Sequence, residues 1–126
     1  MSDQISSYRD LRVWQDAMSL AEACYRVTND FPRSELFGLT SQIRRAAASV
    51  AANIAEGHGR ESTGSFIQSL RVAQGLLKEV ETHLLLAIRV GIQSAPTAEP
   101  VLDQCESTGK KLRALIRSLQ NKDSEP

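Results

Sequence analysis

The sequence predicts an all-α protein, an antiparallel up-down-up-down four-helix bundle that forms one domain over residues 1–126 with frayed termini. Apolar residues recur at intervals of three and four positions in four segments, which is the period of a helix packed on one side. No segment alternates polar and apolar residues as a half-buried strand does. The composition, 41% hydrophobic but only 5% aromatic, is typical of helices that pack through small aliphatic side chains.

The first two predicted helices cover residues of about 10–29 and 39–56. In the first helix Asp10 is the candidate N-cap, and the apolar stripe is Leu11, Trp14, Met18, Ala21, Tyr25 and Thr28. The stripe of the second helix is Leu39, Ile43, Ala47, Val50 and Ile54. Most other positions of the second helix are alanine, and a helix this thin lets neighbours approach from more than one side.

The third and fourth predicted helices cover residues of about 62–90 and 97–120. The third has a sustained heptad seam, formed by Phe66, Leu70, Ala73, Leu77, Val80, Leu84 and Ala87, and a second stripe, formed by Leu85, Ile88 and Ile92. Gly91 is its stop signal. The stripe of the fourth helix is Val101, Leu102, Cys105, Gly109, Leu112, Ile116 and Leu119. Thr97 is its candidate N-cap, and Pro100 is expected in its first turn.

The segment Asn53–Ser62, "NIAEGHGRES", joins the second and third helices. Gly57 suits the position after a helix, where a left-handed residue ends it, and Gly59 would let the chain reverse. Ser62 is the candidate N-cap of the third helix. Asn53 and Glu56 are expected to satisfy polar groups at a contact between helices or subunits. His58, between the two glycines, is expected to be exposed.

Charge and hydropathy exclude several classes of protein. The 15 Lys and Arg residues balance the 15 Asp and Glu residues, which argues against a dedicated nucleic-acid binder unless the charges are segregated. No apolar run is long enough to span a membrane, and the N-terminus lacks the pattern of a secretory signal. Two cysteines, Cys24 and Cys105, do not make a disulfide framework, so we expect a cytoplasmic protein with reduced thiols that pack as small apolar groups.

The chemical motifs do not support catalysis or a bound cofactor. Gly57-His58-Gly59 follows a helix rather than a strand, so it lacks the context of a dinucleotide-binding loop. With only two histidines, His58 and His83, the chain cannot supply the paired Glu-x-x-His motifs of a di-metal helical bundle. We therefore expect no catalytic residue, no metal and no cofactor. A ribonuclease that depends on His83 is kept as a further alternative.

Basic residues are nevertheless distributed unevenly along the chain. The candidate nucleic-acid-binding residues are Arg44, Arg45, Arg60, Arg71 and Lys78. Arg71 and Lys78 are seven positions apart and therefore share one face of the third helix. Four more cations lie late in the fourth helix, at Lys110, Lys111, Arg113 and Arg117. These four also suit the helix dipole, so a solvated surface is the alternative interpretation.

Three stretches that cover roughly residues 8 to 120 resemble a known family. They read "YRDLRVWQDAMSLAEACYRVTNDFP", "LFGLTSQIRRAAASVAANIAEGHGRES" and "FIQSLRVAQGLLKEVETHLLLAIRVGI", with residues 38–46 and 53–60 as the most specific parts. The chain resembles the bacterial four-helix-bundle family named after proteins encoded in intervening sequences of 23S ribosomal RNA genes. That family also includes the accessory protein of diversity-generating retroelements.

The resemblance implies a four-helix bundle that assembles as a ring-like homopentamer and has no catalytic activity. For the retroelement member it implies binding of nucleic acid and of a reverse transcriptase through a basic surface. This chain departs from that pattern by its zero net charge.

Two functions of different classes follow. The first is a non-enzymatic, self-associating helical scaffold, whose partners are further copies of the chain and RNA or DNA bound through a basic surface. The alternative is an adaptor that binds only a protein partner, through the exposed edges of the first and fourth helices. Neither function involves a membrane.

Overall fold

The computed structural model describes residues 7–123 of the chain. Four α-helices contain most of these residues: α1 (Arg12–Thr28), α2 (Leu39–His58), α3 (Thr63–Arg89) and α4 (Ala95–Asp123). Short 3-10 turns at Tyr8–Asp10 and Arg33–Glu35 precede α1 and α2, and no strand occurs between residues 7 and 123. The predicted all-α fold is confirmed. The chain after residue 120, expected to be frayed, is helical as far as Asp123. The remaining ends, residues 1–6 and 124–126, lie outside the described residues.

The helices pack in the order in which they follow one another, and α1 also packs against α4. Contacts near the helix ends favour the up-down-up-down order. Arg44, near the start of α2, donates to Thr28 at the end of α1. Gln93, just after α3, donates to the carbonyl of Val27 in the last turn of α1, at 3.4 Å. The ends of α1 and α3 and the start of α2 therefore lie at the same end of the bundle.

The core consists of the predicted faces of α2, α3 and α4. Fully buried residues from these helices include Ile43, Val50, Ile54, Leu70, Leu84 and Leu112. The predicted face of α1 is correct only in part. Leu11, Trp14 and Ala21 pack against the core and Thr28 is buried, but Met18 and Tyr25 are 40% and 49% exposed. The buried residues of α1 are Val13, Ala17, Leu20, Ala23, Cys24 and Thr28. The second stripe predicted for α3 is also incompletely buried, since Leu85 is 49% exposed.

Side-chain caps mark the starts of α3 and α4. The Ser62 hydroxyl accepts a hydrogen bond from the amide of Ser65 at 3.1 Å, as predicted. The other two predicted caps are wrong. Asp10 lies in a 3-10 turn, and Leu11 precedes α1 without a side-chain cap. At α4 the hydroxyl of Ser94 accepts from the amide of Thr97, at 3.3 Å, so the helix begins earlier than expected.

The ends of α2 and α3 differ from each other. Gly91 has a φ of 80° and ends α3 as predicted, with its own amide donating to Ile88 and that of Ile92 to Ala87. The prediction that Gly57 ends α2 is wrong, because the helix continues to His58 and Gly57 is buried within it. Gly59 follows with an ordinary right-handed φ of −81°. Pro100, expected in the first turn of α4, lies in the helix interior on an exposed face because the helix starts at Ala95.

Candidate nucleic-acid interface

Arg44 is held by α1 rather than presented to solvent. Its Nε donates to the Thr28 hydroxyl at 2.8 Å, and its Nη2 donates to the side-chain oxygen of Asn29 at 3.2 Å. The guanidinium carbon lies 4.6 Å from the centre of the Tyr25 ring, which adds a cation–π contact. The Thr28 hydroxyl in turn donates to the carbonyl of Cys24 at 2.7 Å. Arg44 thus joins the start of α2 to the end of α1, and its Nε and Nη2 donors are used within the protomer.

Arg45 and Arg60 are exposed, and their surroundings differ from those of Arg44. Arg45 lines a shallow groove of about 290 Å³ between α2 and α3, and Glu79 lines the same groove. Arg60 lies in the turn between these helices. The Glu79 carboxylate lowers the positive potential beside Arg45, so Arg45 and Arg60 do not form a continuous basic surface.

Arg71 and Lys78 share the outer face of α3, as their spacing predicts. Both are exposed, and the Lys78 ammonium makes a surface ion pair with Glu81 at 3.1 Å. Lys78 also lines a cleft of about 310 Å³ between α3 and α4. Arg113 of α4 lines the same cleft and is a second basic residue there. Two glycines, Gly75 and Gly109, line this cleft. A Cβ added at Gly75 would have no other atom within 4 Å, so the cleft is open there.

The sequence did not predict that Arg113 lies beside Lys78. Its spacing from Arg117 and Lys110 was visible, but only the packing of α4 against α3 brings it beside Lys78. Lys111, from the same cluster, is separate from this face, because its ammonium pairs with Asp16 of α1 at 2.6 Å. The outer face of α4 changes sign along its length, with Glu99, Asp103 and Glu106 first and Lys110, Arg113 and Arg117 later.

The segment between α2 and α3 is structural. The side-chain amide of Asn53 donates to the carbonyl of Ser49 in its own helix at 2.8 Å, and Glu56 is exposed. Within the protomer, therefore, neither residue makes the contact between helices that was predicted. His58 is half-buried rather than exposed, because its ring packs edge-on against Phe66 with 5.7 Å between the ring centres.

The two cysteines are packed in the core, where burial opposes ionisation of their thiols. Both are free and buried, as predicted. Burial raises the pKa of the Cys24 thiol to about 12. Burial, with smaller effects of Cys24 and Glu81, raises the pKa of Cys105 to about 12 as well. Because the thiolate is the nucleophile, these residues do not have the properties of catalytic cysteines.

The histidine that a ribonuclease would need, His83, is half-buried on α3. The Nδ1 atom of His83 is buried without a hydrogen-bond partner in the part of the chain that the structure describes. No carboxylate or hydroxyl of the described residues therefore orients the ring through Nδ1. Between residues 7 and 123, no three His, Cys, Asp or Glu side chains are grouped so that they could hold a metal ion. None of the described helices is both long and apolar enough to cross a membrane.

Comparison with known proteins agrees with this fold. The family described as 23S rRNA-intervening sequence protein matches residues 9–114 of the chain. The chain belongs to this family. The match includes all of α1, α2 and α3 and most of α4, so membership applies to the bundle as a whole.

A solved structure has a similar architecture. It is a protein of unknown function from the S23 ribosomal protein family of Bacteroides thetaiotaomicron VPI-5482, with a TM-score of 0.74 and 25% sequence identity. The likeness covers 82% of this chain and 97% of that one. A comparison with curated proteins found no match. The family description and this neighbour thus support the fold and the family, and neither describes an enzymatic activity.

Proposed function

We propose that this family member is a non-enzymatic, self-associating helical scaffold of the cytoplasm that contacts RNA or DNA through the outer face of α3 and α4. The observation that carries the proposal is the grouping of Arg71, Lys78 and Arg113 on that face. The whole chain has a net charge of zero, but these three basic residues lie together on one face. We name these three residues the α3–α4 basic face.

The α3–α4 basic face suits phosphate contacts better than base contacts. Its cations are exposed and lie on helices, where they can follow a charged backbone, and Gln74 adds a neutral polar group in the cleft between them. Glu81 and Glu106 line the same cleft and reduce the net positive charge. A single protomer would therefore bind weakly and without sequence preference.

Self-association would compensate for this weakness. Several copies of a modest basic face in one particle raise the effective affinity through multivalency, without any new contact per copy. The homopentameric ring implied by the family resemblance is one such particle. Exposed apolar side chains of the protomer, among them Phe37, Leu86 and Val90, are available for contacts between copies.

Binding can be tested with a variant of the basic face and a matched control. We expect Arg71→Gln/Lys78→Gln/Arg113→Gln to weaken binding of a fluorescent RNA or DNA duplex measured by anisotropy. On a DNA duplex the slope of log affinity against log salt should become shallower by about 0.9 for each phosphate that the variant no longer neutralises. The control is Arg12→Gln/Arg26→Gln/Arg33→Gln, which removes the same charge from exposed positions outside this face.

Comparing the two variants shows whether binding depends on the α3–α4 basic face or only on the overall charge of the protein. If the control weakens binding as much as the basic-face variant, only the overall charge matters and the proposed face is wrong. If the wild-type chain has no affinity for either nucleic acid at low salt, the nucleic-acid function fails. Light scattering coupled to size exclusion tests self-association independently, and a monomer mass for the wild-type chain would refute it.

The alternative, an adaptor that binds only protein, is favoured by one observation. Phe37, in the segment between α1 and α2, is 92% exposed, and its neighbour Leu36 is 48% exposed. Exposed aromatic groups of this kind are common anchors of protein interfaces. A purified particle that binds a protein partner through Phe37, and neither RNA nor DNA, would support the adaptor and exclude the scaffold.

A further inference from the structure

The outer face of α4 carries a row of charged residues that changes sign along the helix. Glu99, Asp103, Glu106 and Lys110 follow one another at intervals of four, three and four positions, and all of them are exposed. This spacing places them on one face of the helix, and we call them the α4 row. Acidic residues near the start of a helix and a basic residue in its second half suit the helix dipole, so the order of charges has an explanation within α4.

The outer face of α2 carries the opposite order of charges. Arg45 lies in the second turn of α2 and Glu56 in its last turn, with Ala48 and Ala52 between them on the same face. These four side chains are exposed, and we call them the α2 row. A positive charge near the start of a helix and a negative charge near its end oppose the helix dipole. The order of charges in the α2 row therefore requires an explanation outside α2.

The charges of both rows are unpaired within the protomer. The ion pairs that the structure records between residues 7 and 123 are those of Lys78 with Glu81 and of Lys111 with Asp16. Neither pair includes a member of the α2 row or the α4 row. Arg45 lines the groove between α2 and α3 beside a carboxylate but forms no ion pair there. Both rows are therefore available to a partner.

The two rows match in spacing and in height along the bundle. Arg45 and Glu56 are eleven residues apart, and so are Glu99 and Lys110, which is roughly 16 Å of helix in each case. The start of α2 lies at the same end of the bundle as the end of α3, and α4 begins shortly after α3 ends. Arg45 is six residues from the start of α2 and Glu99 four residues from the start of α4. Arg45 is thus nearly level with Glu99, and Glu56 with Lys110.

We propose that the α2 row of one copy packs against the α4 row of the next copy, with the two helices parallel. Arg45 then lies opposite Glu99 of the neighbour, and Glu56 lies opposite Lys110. The exposed alanines between them allow the two helix backbones to approach closely. This inference rests on the self-association in the proposed function and names the surfaces that join the copies. Because the contact lies between copies, Arg45 adds to association and not to the stability of a separate protomer.

A contact between two different surfaces is heterologous and can close into a ring. Rotation about an axis parallel to the bundle keeps every helix at its height and in its direction, as the matching rows require. Both rows lie toward the α3 side of their helices, since Arg45 borders the groove between α2 and α3 and Glu106 borders the cleft between α3 and α4. Successive copies therefore turn in the same sense. Such a ring closes with an odd or an even number of copies, including the homopentamer that the family resemblance implies.

Exchange of the charges of Glu56 and Lys110 tests the contact. Glu56→Lys and Lys110→Glu, each alone, place like charges opposite each other, and we expect association to weaken at least about tenfold in sedimentation equilibrium. A chain that carries both substitutions should associate as the wild type does, because every contact then pairs opposite charges again. Within the described protomer α2 and α4 do not contact each other, so this restoration arises between copies. The controls are Glu22→Lys and Lys122→Glu, which make the same charge changes at exposed positions outside both rows.

A change of side-chain size tests the close approach of the two helices. Ala52→Gln adds a neutral, bulky side chain in the middle of the α2 row, and association should fall about tenfold because the helices must separate. Ser118→Gln adds a similar group at an exposed position of α4 outside the α4 row and should leave association unchanged. Circular dichroism verifies that both variants remain folded.

Four results would overturn the interface. They are unchanged association of both single charge variants, no restoration when they are combined, equal losses in the charge controls, or equal effects of Ala52→Gln and Ser118→Gln. Each of these leaves self-association and the proposed function intact, since another surface would then join the copies. A wild-type chain that stays monomeric would refute the interface and the self-associating scaffold together.

Discussion

Gly57 of α2 packs directly against Ser69 of α3. A Cβ placed at Gly57 would lie 2.5 Å from the Cβ of Ser69 and 3.0 Å from the Phe66 ring. The absence of a side chain at this buried position therefore sets how closely the end of α2 approaches the start of α3. This contact explains why a residue expected to end the helix lies inside it.

We expect Gly57→Ala to destabilise the protein by about 1–3 kcal/mol, because the added methyl group overlaps Ser69 and the helices must separate. Gly75→Ala is the matched control, since a Cβ there meets nothing within 4 Å and alanine favours a helix interior. Its expected effect is a stabilisation of about 0.5–1 kcal/mol. Urea unfolding followed by circular dichroism measures both. Equal destabilisation by the two substitutions would contradict the close-packing argument.

The Arg44 contacts predict a difference between two adjacent arginines. Arg44→Ala removes the hydrogen bonds to Thr28 and Asn29 and the contact with the Tyr25 ring, so we expect a loss of about 1–3 kcal/mol. Arg45→Ala, at an exposed position with no such partners, should change stability by less than about 0.5 kcal/mol. Thermal unfolding of both variants provides the comparison. A larger effect at Arg45 would show that Arg44 does not join α1 to α2.

Stability should fall at alkaline pH because of the two buried thiols. Burial raises the pKa of Cys24 and Cys105 from 9.0 to about 12, whereas the thiols of the unfolded chain ionise at their ordinary pKa. The unfolded state therefore binds fewer protons between pH 9 and 12, and the free energy of unfolding decreases as pH rises through that window. Below pH 9 the stabilisation is complete. The upper limit of the slope is about 1.4 kcal/mol per pH unit for each thiol.

Urea unfolding at several pH values between 8 and 11 tests this prediction. The control is Cys24→Ala/Cys105→Ala, which keeps every tyrosine and lysine and should show a shallower decrease. The absence of any difference in slope between the two proteins would mean that the thiols are accessible to water.

The left-handed residue at the end of α3 predicts a further effect. Gly91 has a φ of 80°, where a side chain is strained. Gly91→Ala should therefore destabilise the protein by about 1 kcal/mol. Gly64→Ala, in the first turn of α3 with open space around it, should be neutral or stabilising. Differential scanning calorimetry of both variants measures the difference, and a neutral Gly91→Ala would contradict the assigned role of this turn.

The fold was predictable from the sequence because helical periodicity records which residues a helix buries. Leu70, Val80 and Leu84 of α3 illustrate this, since a regular spacing placed all three in the core where the structure has them. The face of α1 was only partly predictable by the same reasoning. Its large apolar residues, Met18 and Tyr25, suggested one stripe, but smaller residues such as Ala17 and Cys24 are the fully buried ones.

The candidate site was less predictable than the fold. Sequence spacing correctly put Arg71 and Lys78 on one face, but the position of Arg113 beside them depends on how α4 packs on α3. The sequence did not predict the contact of Arg44 with Thr28, because Thr28 lies on a different helix.

The two inaccessible thiols have a practical use. Because Cys24 and Cys105 remain protonated and buried, alkylating reagents such as maleimides should not modify them in the folded protein. A single cysteine introduced at an exposed position, for example Ser118→Cys, would then be the reactive thiol of each copy. Fluorescent or spin labels could be attached there without removing either native cysteine, and distances between copies could be measured in an otherwise unaltered core.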